Sequence, residues 1–255
     1  MCPVLFRLGG LTIYAYGFFL ALGFAAGAAF AILVARREGI PLERIIDLFF
    51  YTVFSAIVGS RLLFVLINFD FYLKNPLHVF RIWEGGLVFY GGLVLAAGVS
   101  IAYLWRRRLP LWETADLFAP SVALGLFFGR IGCFFAGCCY GKETDLPWAV
   151  TFTDPNSLAR LNIPLHPTQL YDAANGLAIF LFLMWMRRRK AFDGEIFWLF
   201  VILYSVTRFL IEMLRGDPRG FLLDSLLSTS QAVGVVLALV SLFMLFYLKR
   251  KKGSV

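Results

Sequence analysis

Seven stretches of this 255-residue chain stay apolar long enough to leave no water-facing side. They run Tyr14 to Ala35, Leu48 to Phe69, Leu87 to Trp105, Leu117 to Phe135, Leu170 to Met186, Ile196 to Leu214 and Ala232 to Leu248. At about 1.5 Å of rise per residue, ~20 such residues cross the ~30 Å hydrocarbon core of a bilayer. Each stretch is too long for a strand. Runs such as Phe180 to Met186 and Val235 to Val240 are apolar at every position, which excludes the alternation of a membrane barrel. A composition that is 60% hydrophobic and 16% charged, with mean hydropathy +0.77, excludes a soluble or disordered chain. The expected fold is all-α: a polytopic membrane protein, one integral-membrane domain over residues 1–255 forming a bundle of seven transmembrane helices.

The basic residues orient that bundle. Fourteen of the 24 cluster after alternate spans, at Arg36, Arg37 and Arg44, Arg106 to Arg108, Arg187 to Lys190, and Lys249 to Lys252, which marks the cytoplasmic side. The opposite side receives Arg7, Lys74, Arg81, Lys142, Arg160, Arg215 and Arg219, balanced by Glu84, Asp145, Asp154, Asp217 and Asp224. The N-terminus is expected outside and the C-terminus in the cytoplasm, as an odd number of spans requires. The net charge of +8 then reflects topology and anionic lipid and calls for no nucleic acid. The first span lacks a basic n-region and is followed by Arg36-Arg37 as a stop, so it is expected to stay in the mature protein, with Cys2 an ordinary thiol. The longest connection, residues 137–167, lies on the outer face and carries too many aromatic and apolar residues for plain disorder. A faint echo links Gly9-Gly10-Leu11 and Tyr14 with Gly85-Gly86-Leu87 and Tyr90, too short to establish a repeat.

Chemistry in such a chain resides in charge at membrane depth, where an ionised group costs ~2.5 to 3.5 kcal/mol on insertion scales. Arg61, Arg130 and Arg208 stand inside or near the ends of spans, with Glu212 one turn after the last. Arg61 and Arg130 share a local design, because Gly59-Ser60-Arg61 and Gly129-Arg130-Ile131-Gly132 each remove bulk beside the guanidinium. Arg208 pairs with Glu212 at i, i+4, and Arg61 either snorkels to an interface or serves a site. Arg130 has no acid in its own span before Asp116 near the opposite end, so it is expected to need an anion. A phospholipid phosphate is the anion a bilayer supplies in quantity, and a guanidinium binds it with two parallel hydrogen bonds. These residues predict an anionic headgroup site, open to the outer leaflet, around Arg130 and Arg208.

No metal and no cofactor are expected. Cys133, Cys138 and Cys139 with His166 lack the spacing of a zinc knuckle, and a structural role, with one disulfide between Cys133 and Cys138 as an option, ranks first. Pro167-Thr168-Gln169 reads as a helix start, with Asp172 in the first turn, where the helix dipole favours an acid. His166 before it serves either capping and packing or proton transfer. A monomer is the default, and Gly23-x-x-x-Gly27 and Gly125-x-x-x-Gly129 offer close packing within or between chains.

Several segments together carry a family resemblance. They are Gly129-Arg130-Ile131-Gly132 followed by Gly137 and Gly141; His166-Pro167-Thr168-Gln169-Leu170-Tyr171-Asp172; and Arg208-Phe209 with Glu212, Arg215 and Asp217. Trp83 with Gly85-Gly86 and Gly91-Gly92, Tyr16-Gly17, and Ser230-Gln231 complete the series. In this order, over nearly the whole chain, they resemble bacterial prolipoprotein diacylglyceryl transferases. The resemblance implies transfer of the diacylglyceryl group of phosphatidylglycerol to the lipobox cysteine of a prolipoprotein signal peptide, giving a thioether and glycerol phosphate at the bacterial inner membrane. It implies catalytic roles for Arg130, Arg208 and Tyr90, and substrate-binding roles for Arg130, Tyr16, Arg61, Gly91, Gly92, His166, Glu212, Arg215 and Gln231. Tyr90 stands where the family often has the histidine of Phe-His-Gly-Gly. A tyrosine of ordinary pKa ~10 is a poor base at neutral pH, so it is expected to hydrogen-bond the substrate. Cys133 and Cys138 replace the family's usual Asn and Glu.

Two other readings remain from the residues alone. A transporter or channel for an anionic solute would also carry inward-facing arginines, but it predicts broken helices in two corresponding halves, and Gly-Gly occurs here at span starts. A relative with altered thiol chemistry is the reading that Tyr90, Cys133 and Cys138 leave open.

Overall fold

The computed structural model describes residues 3–8, 11–82, 85–217, 221–222 and 227–252. Cys2, Gly9, Gly10, Trp83, Glu84, Arg219 and Asp224, which entered the sequence reading, lie outside the described residues.

Each of the seven apolar stretches forms a helix: α1 (Ala15–Glu38), α2 (Leu42–Ile67), α4 (Phe89–Arg107), α5 (Leu111–Ala136), α6 (Thr168–Arg187), α7 (Glu195–Glu212) and α8 (Thr229–Lys252). An eighth, α3 (Phe69–Lys74), is only 6 residues long and precedes a short 3-10 turn at Pro76–Phe80. Five of these helices, α1, α2, α4, α5 and α8, are long and apolar enough to cross a membrane. The other two long helices are more polar: α6 opens with Thr168, Gln169 and Asp172, and α7 carries Glu195, Arg208 and Glu212. Apolar side chains such as Val94, Leu239 and Phe243 are well exposed, as side chains that face lipid are. Among the described residues three small strand pairs, which apolar patterning does not disclose, precede α1, lie between α5 and α6, and lie between α7 and α8. They pair β1 (Val4–Leu8) with β2 (Leu11–Tyr14), β3 (Val150–Thr151) with β4 (Pro164–Leu165), and β5 (Phe221–Leu222) with β6 (Leu227–Ser228), all antiparallel.

The chain divides into two compact units, one of Ile32–Thr114 and one of Met1–Ala31 with Ala115–Val255. In the smaller unit α2 packs on α4 with almost no space between backbones. A Cβ on Gly59 or Gly91 would run into the other's carbonyl oxygen, and one on Gly92 would meet Ser60 Oγ. The contact is sealed by a 2.8 Å hydrogen bond between Thr52 Oγ1 and Ser100 Oγ.

In the larger unit, Ala119, Ala123, Ile179, Leu183 and Ile196 of α5, α6 and α7 form a buried core. Small residues again set the spacing. Gly23 and Gly27 of α1 face the Gly125 and Ser121 carbonyls of α5, so Gly23-x-x-x-Gly27 packs within the chain. One buried acid organises the far end of this unit. Asp116 accepts hydrogen bonds from Gly194 N (2.7 Å) and Phe197 N (2.8 Å) and pairs with Lys190 Nζ at 3.0 Å. It thereby satisfies two of the unpaired N–H groups at the start of α7 from a different helix.

The 137–167 connection is ordered around its own core. Phe152, Ala159 and Leu165 are buried and packed by Phe134, Tyr140, Val150 and Ile163. The β3–β4 pairing and bridges from Glu143 to Leu165 and Phe152 to Leu161 hold its backbone.

Candidate active site

Asp172, which lies just beyond the first turn of α6 and not within it as expected, is the centre of the charged site of the larger unit. Its Oδ2 lies 3.2 Å from Arg130 Nη1 of α5, 3.8 Å from Arg208 Nη1 of α7 and 4.0 Å from Arg215 Nη1 just beyond α7. The expectation that Arg130 is unpaired is therefore corrected. Its acid comes from α6, and a search along its own span cannot find a partner supplied by another helix.

The three arginines are not equivalent. Arg215 is used up internally: Nε and Nη2 donate to the two oxygens of Asp217, both at 3.0 Å, in a bidentate pair. Arg208 Nη2 pairs with Glu212 Oε2 at 2.6 Å, as expected from the i, i+4 spacing, while its Nη1 has only the longer approach to Asp172. Among the described residues Arg130 makes the single pair with Asp172. The side chains of Arg130 and Arg208 are 17% and 12% exposed, against 3% for Arg215. Arg130 and Arg208 thus retain N–H donors and a route of access. The three guanidiniums face three carboxylates, Asp172, Glu212 and Asp217, so formal charges cancel. An anion would be held here by the geometry of the remaining donors and not by net charge.

The loop residues fix these side chains. Gly137, with φ of 77°, ends α5 in a conformation open to glycine, and a Cβ there would strike Ser157 Oγ. Gly141 lies where three segments meet, with its N–H on the His166 carbonyl (3.0 Å), the Lys142 N–H on the Leu214 carbonyl (2.8 Å) and the Gly216 N–H on the Tyr140 carbonyl (3.1 Å). A Cβ on Gly141 would overlap His166, so this glycine permits the contact that sets Arg215 beside α6. The His166-to-Asp172 segment acts as one clamp. Thr168 Oγ1 donates to the Cys139 carbonyl (2.7 Å), Gln169 Nε2 to the Cys138 carbonyl (2.8 Å), and Tyr171 OH meets His166 Nδ1 at 3.3 Å while accepting from Trp148 Nε1 at 2.7 Å. His166 therefore packs and hydrogen-bonds at the entry to α6.

Gln231 has a structural assignment. Its Oε1 accepts from Ser228 N (3.0 Å) and its N–H donates to Ser228 Oγ (3.2 Å), a reciprocal capping box at the start of α8. Its neighbour Ser230 donates to Glu212 Oε1 at 2.6 Å and so holds the acid that holds Arg208. In sequence Ser230 shows only as half of the Ser230-Gln231 motif. Tyr16, at the start of α1, is half-exposed, and Gly132 of α5 packs on its backbone.

In the smaller unit Arg61 has a different setting from the one its sequence suggests. Nε donates to the Val79 carbonyl (2.9 Å), Nη1 to those of Gly85 (2.8 Å) and Gly86 (3.2 Å), and Nη2 to that of His78 (2.5 Å). The rings of Phe64 and Tyr72 flank the charge, with centroids 5.7 and 5.5 Å away. The guanidinium is buried and stitches His78, Val79, Gly85 and Gly86 to α2. Gly91 and Gly92 are fully accounted for by the α2–α4 approach. Tyr90 lies on the exposed side of the same helix, beside Phe89.

Cys133, Cys138 and Cys139 are free thiols, so the optional Cys133–Cys138 disulfide is not formed. Their three sulfurs lie within 4.8 Å of one another. In the turn after α5, hydrogen bonds from Cys133 and Cys138, then the Arg215 and Arg130 guanidiniums, pull the Cys139 thiol well below its ordinary pKa. Beyond α7, burial pushes the Asp217 carboxyl up while Arg215 pulls it down.

This is a multi-helix membrane protein with a buried, arginine-centred site at the ends of α5, α6 and α7. The prolipoprotein diacylglyceryl transferase family model matches residues 3–247, and the chain belongs to that family. It is similar to a phosphatidylglycerol–prolipoprotein diacylglyceryl transferase of Clostridium tetani, 38% identical over 243 residues, covering 95% of this chain and 96% of the relative. A Geobacter sulfurreducens protein of the same name is 37% identical over 257 residues, covering 98% and 96%. A second such transferase, from Clostridium perfringens, is 34% identical over 251 residues with the same coverage.

Proposed function

We propose that this chain transfers the diacylglyceryl group of phosphatidylglycerol to the lipobox cysteine thiol of prolipoproteins. The observation that carries the site assignment is the unequal commitment of the three arginines around Asp172: Arg130 and Arg208 keep donors for a phosphate, whereas Arg215 is bound to Asp217. Family membership and near full-length similarity to named transferases support the reaction.

In the reaction the client sulfur attacks C3 of the diacylglyceryl glycerol. A C–S thioether bond forms, the C3–O bond to phosphate breaks, and its electron pair goes to the departing oxygen. Glycerol phosphate leaves, and the thiol proton ends on it or in solvent. Charge accumulates on that oxygen, and preorganised donors in a low-dielectric site stabilise it by about 3 to 4 kcal/mol each. Arg130 and Arg208 supply those donors. Asp172 and Glu212 hold the two guanidiniums in place and are positioning residues, with Ser230 behind Glu212. Tyr90 hydrogen-bonds substrate, Tyr16 and His166 complete the binding surface, and Arg215, committed to Asp217, acts by positioning. Arg61, Gly91, Gly92 and Gln231 serve by fixing the backbone.

The same reading includes seven membrane crossings with the N-terminus outside, the 137–167 connection on the outer face, and residence in the bacterial inner membrane as a monomer. The arginines and lysines that end α1, α4, α6 and α8 support that orientation.

The test uses purified protein in phosphatidylglycerol vesicles with a lipobox peptide, following peptide mass and glycerol phosphate release. Arg130→Ala and Arg208→Ala are each expected to lower the rate by about 100- to 1000-fold. Transfer by either variant at the wild-type rate would refute the site, and no transfer by folded wild type would refute the reaction.

A further inference from the structure

The transfer reaction leaves one cluster without a task. Cys133 at the end of α5 and Cys138 and Cys139 in the turn beyond it bring three sulfurs within 4.8 Å of one another. In sequence the spacing matches no metal knuckle, but α5 ends at Ala136 and the positive φ at Gly137 folds the chain back. Three sulfurs no more than 4.8 Å apart share a point at most about 2.8 Å from each, so at most a modest inward movement reaches the ~2.3 Å of a metal–thiolate bond.

We propose that Cys133, Cys138 and Cys139 form a trithiolate site for one thiophilic d10 cation, with Cu(I) the preferred occupant. Three observations support it. The ligand set is all sulfur: among the described residues no histidine or carboxylate joins the group. Thiolates select Cu(I) and Zn(II) over harder cations, and a set of three suits three-coordinate Cu(I), whereas Zn(II) requires a fourth ligand. The backbone of the site is held from outside, by Thr168 on the Cys139 carbonyl and Gln169 on that of Cys138. Cys139 is itself fixed at a φ of 62°, a conformation uncommon for a residue with a Cβ. Binding would release protons from the thiols still protonated and form three metal–sulfur bonds, with no change of oxidation state.

The cluster adjoins Arg130 and Arg215 of the transfer site, so the experiment reads the metal directly and not the transfer rate. Full-length protein carrying Cys2→Ser, so that the three thiols are the only ones present, is reduced in detergent and titrated anaerobically with Cu(I) against a chromogenic chelator, and separately with Zn(II). One Cu(I) per chain is expected, with three sulfur neighbours by X-ray absorption. Cys138→Ser and Cys139→Ser are each expected to weaken binding by at least about 100-fold, the loss of a direct ligand exceeding the 10- to 100-fold typical of outer-shell changes. The X-ray measurement on protein with all three thiols stands even where a variant fails to fold. Binding no tighter than in the Cys138→Ser, Cys139→Ser double variant, two sulfur neighbours in place of three, or tighter retention of Zn(II) with an added oxygen or nitrogen neighbour would each overturn the proposal.

Discussion

Arg61 and Arg130 look alike in sequence and live differently in the structure. Each is an arginine beside small residues in an apolar helix. Arg61 gives its donors to four backbone carbonyls and its faces to two aromatic rings, and so becomes part of the scaffold. Arg130 shares one carboxylate with two other arginines and keeps donors to offer. A buried guanidinium must be satisfied in either case. The difference is whether the chain satisfies it alone or leaves part of that to a ligand.

The contrast can be broken most severely at Asp172. Asp172→Ala leaves three arginines without their common acid, and removing one partner of a buried pair costs ~3 to 5 kcal/mol, so thermal unfolding in detergent should show a loss of that size. A loss too small to measure would mean that the arginines do not depend on Asp172. Next in size, Arg130→Lys and Arg208→Lys keep the charge but lose the planar fork. Transfer should stay close to the level of the alanine variants, within about tenfold, if bidentate binding of phosphate is what matters. Rates near wild type would reduce both residues to point charges.

Arg61→Ala sharpens the comparison from the other side. It should lower stability by about 2 to 3 kcal/mol, the scale of losing charged hydrogen bonds, with the apparent KM for phosphatidylglycerol unmoved in protein that remains folded. A raised KM with unchanged stability would place Arg61 on the lipid. The smallest effect is expected at Gln231. Gln231→Ala removes half a capping box and should cost about 1 kcal/mol of stability with transfer retained, whereas a collapse of activity in stable protein would return Gln231 to the substrate site.

What sequence can reach follows from where each cause lies. Every long apolar stretch became a helix because an apolar environment demands internal backbone hydrogen bonding along the segment, a requirement local to it. The Arg208–Glu212 pair was legible for the same reason, since i, i+4 neighbours meet on any helix. Ser228 and Gln231 form a recognisable cap once α8 is placed, and the short range of that motif made it findable. Asp172 could not be weighted in this way. It reads as an ordinary first-turn acid until α5, α6 and α7 pack and three arginines turn out to share it. The strand pairs were missed because strands of two to five residues carry too little pattern.

The sequence by itself therefore determined that this is a membrane protein of long apolar helices, where those helices lie, and which motifs place it in a transferase family. Only the tertiary structure decided which arginines are scaffold and which remain available, that Asp172 joins three of them, and that cysteines at positions 133, 138 and 139 meet. Helix formation answers to solvent and to neighbours along the chain. The satisfaction of a buried charge answers to whatever side chain or carbonyl the fold brings near, and that information is nonlocal.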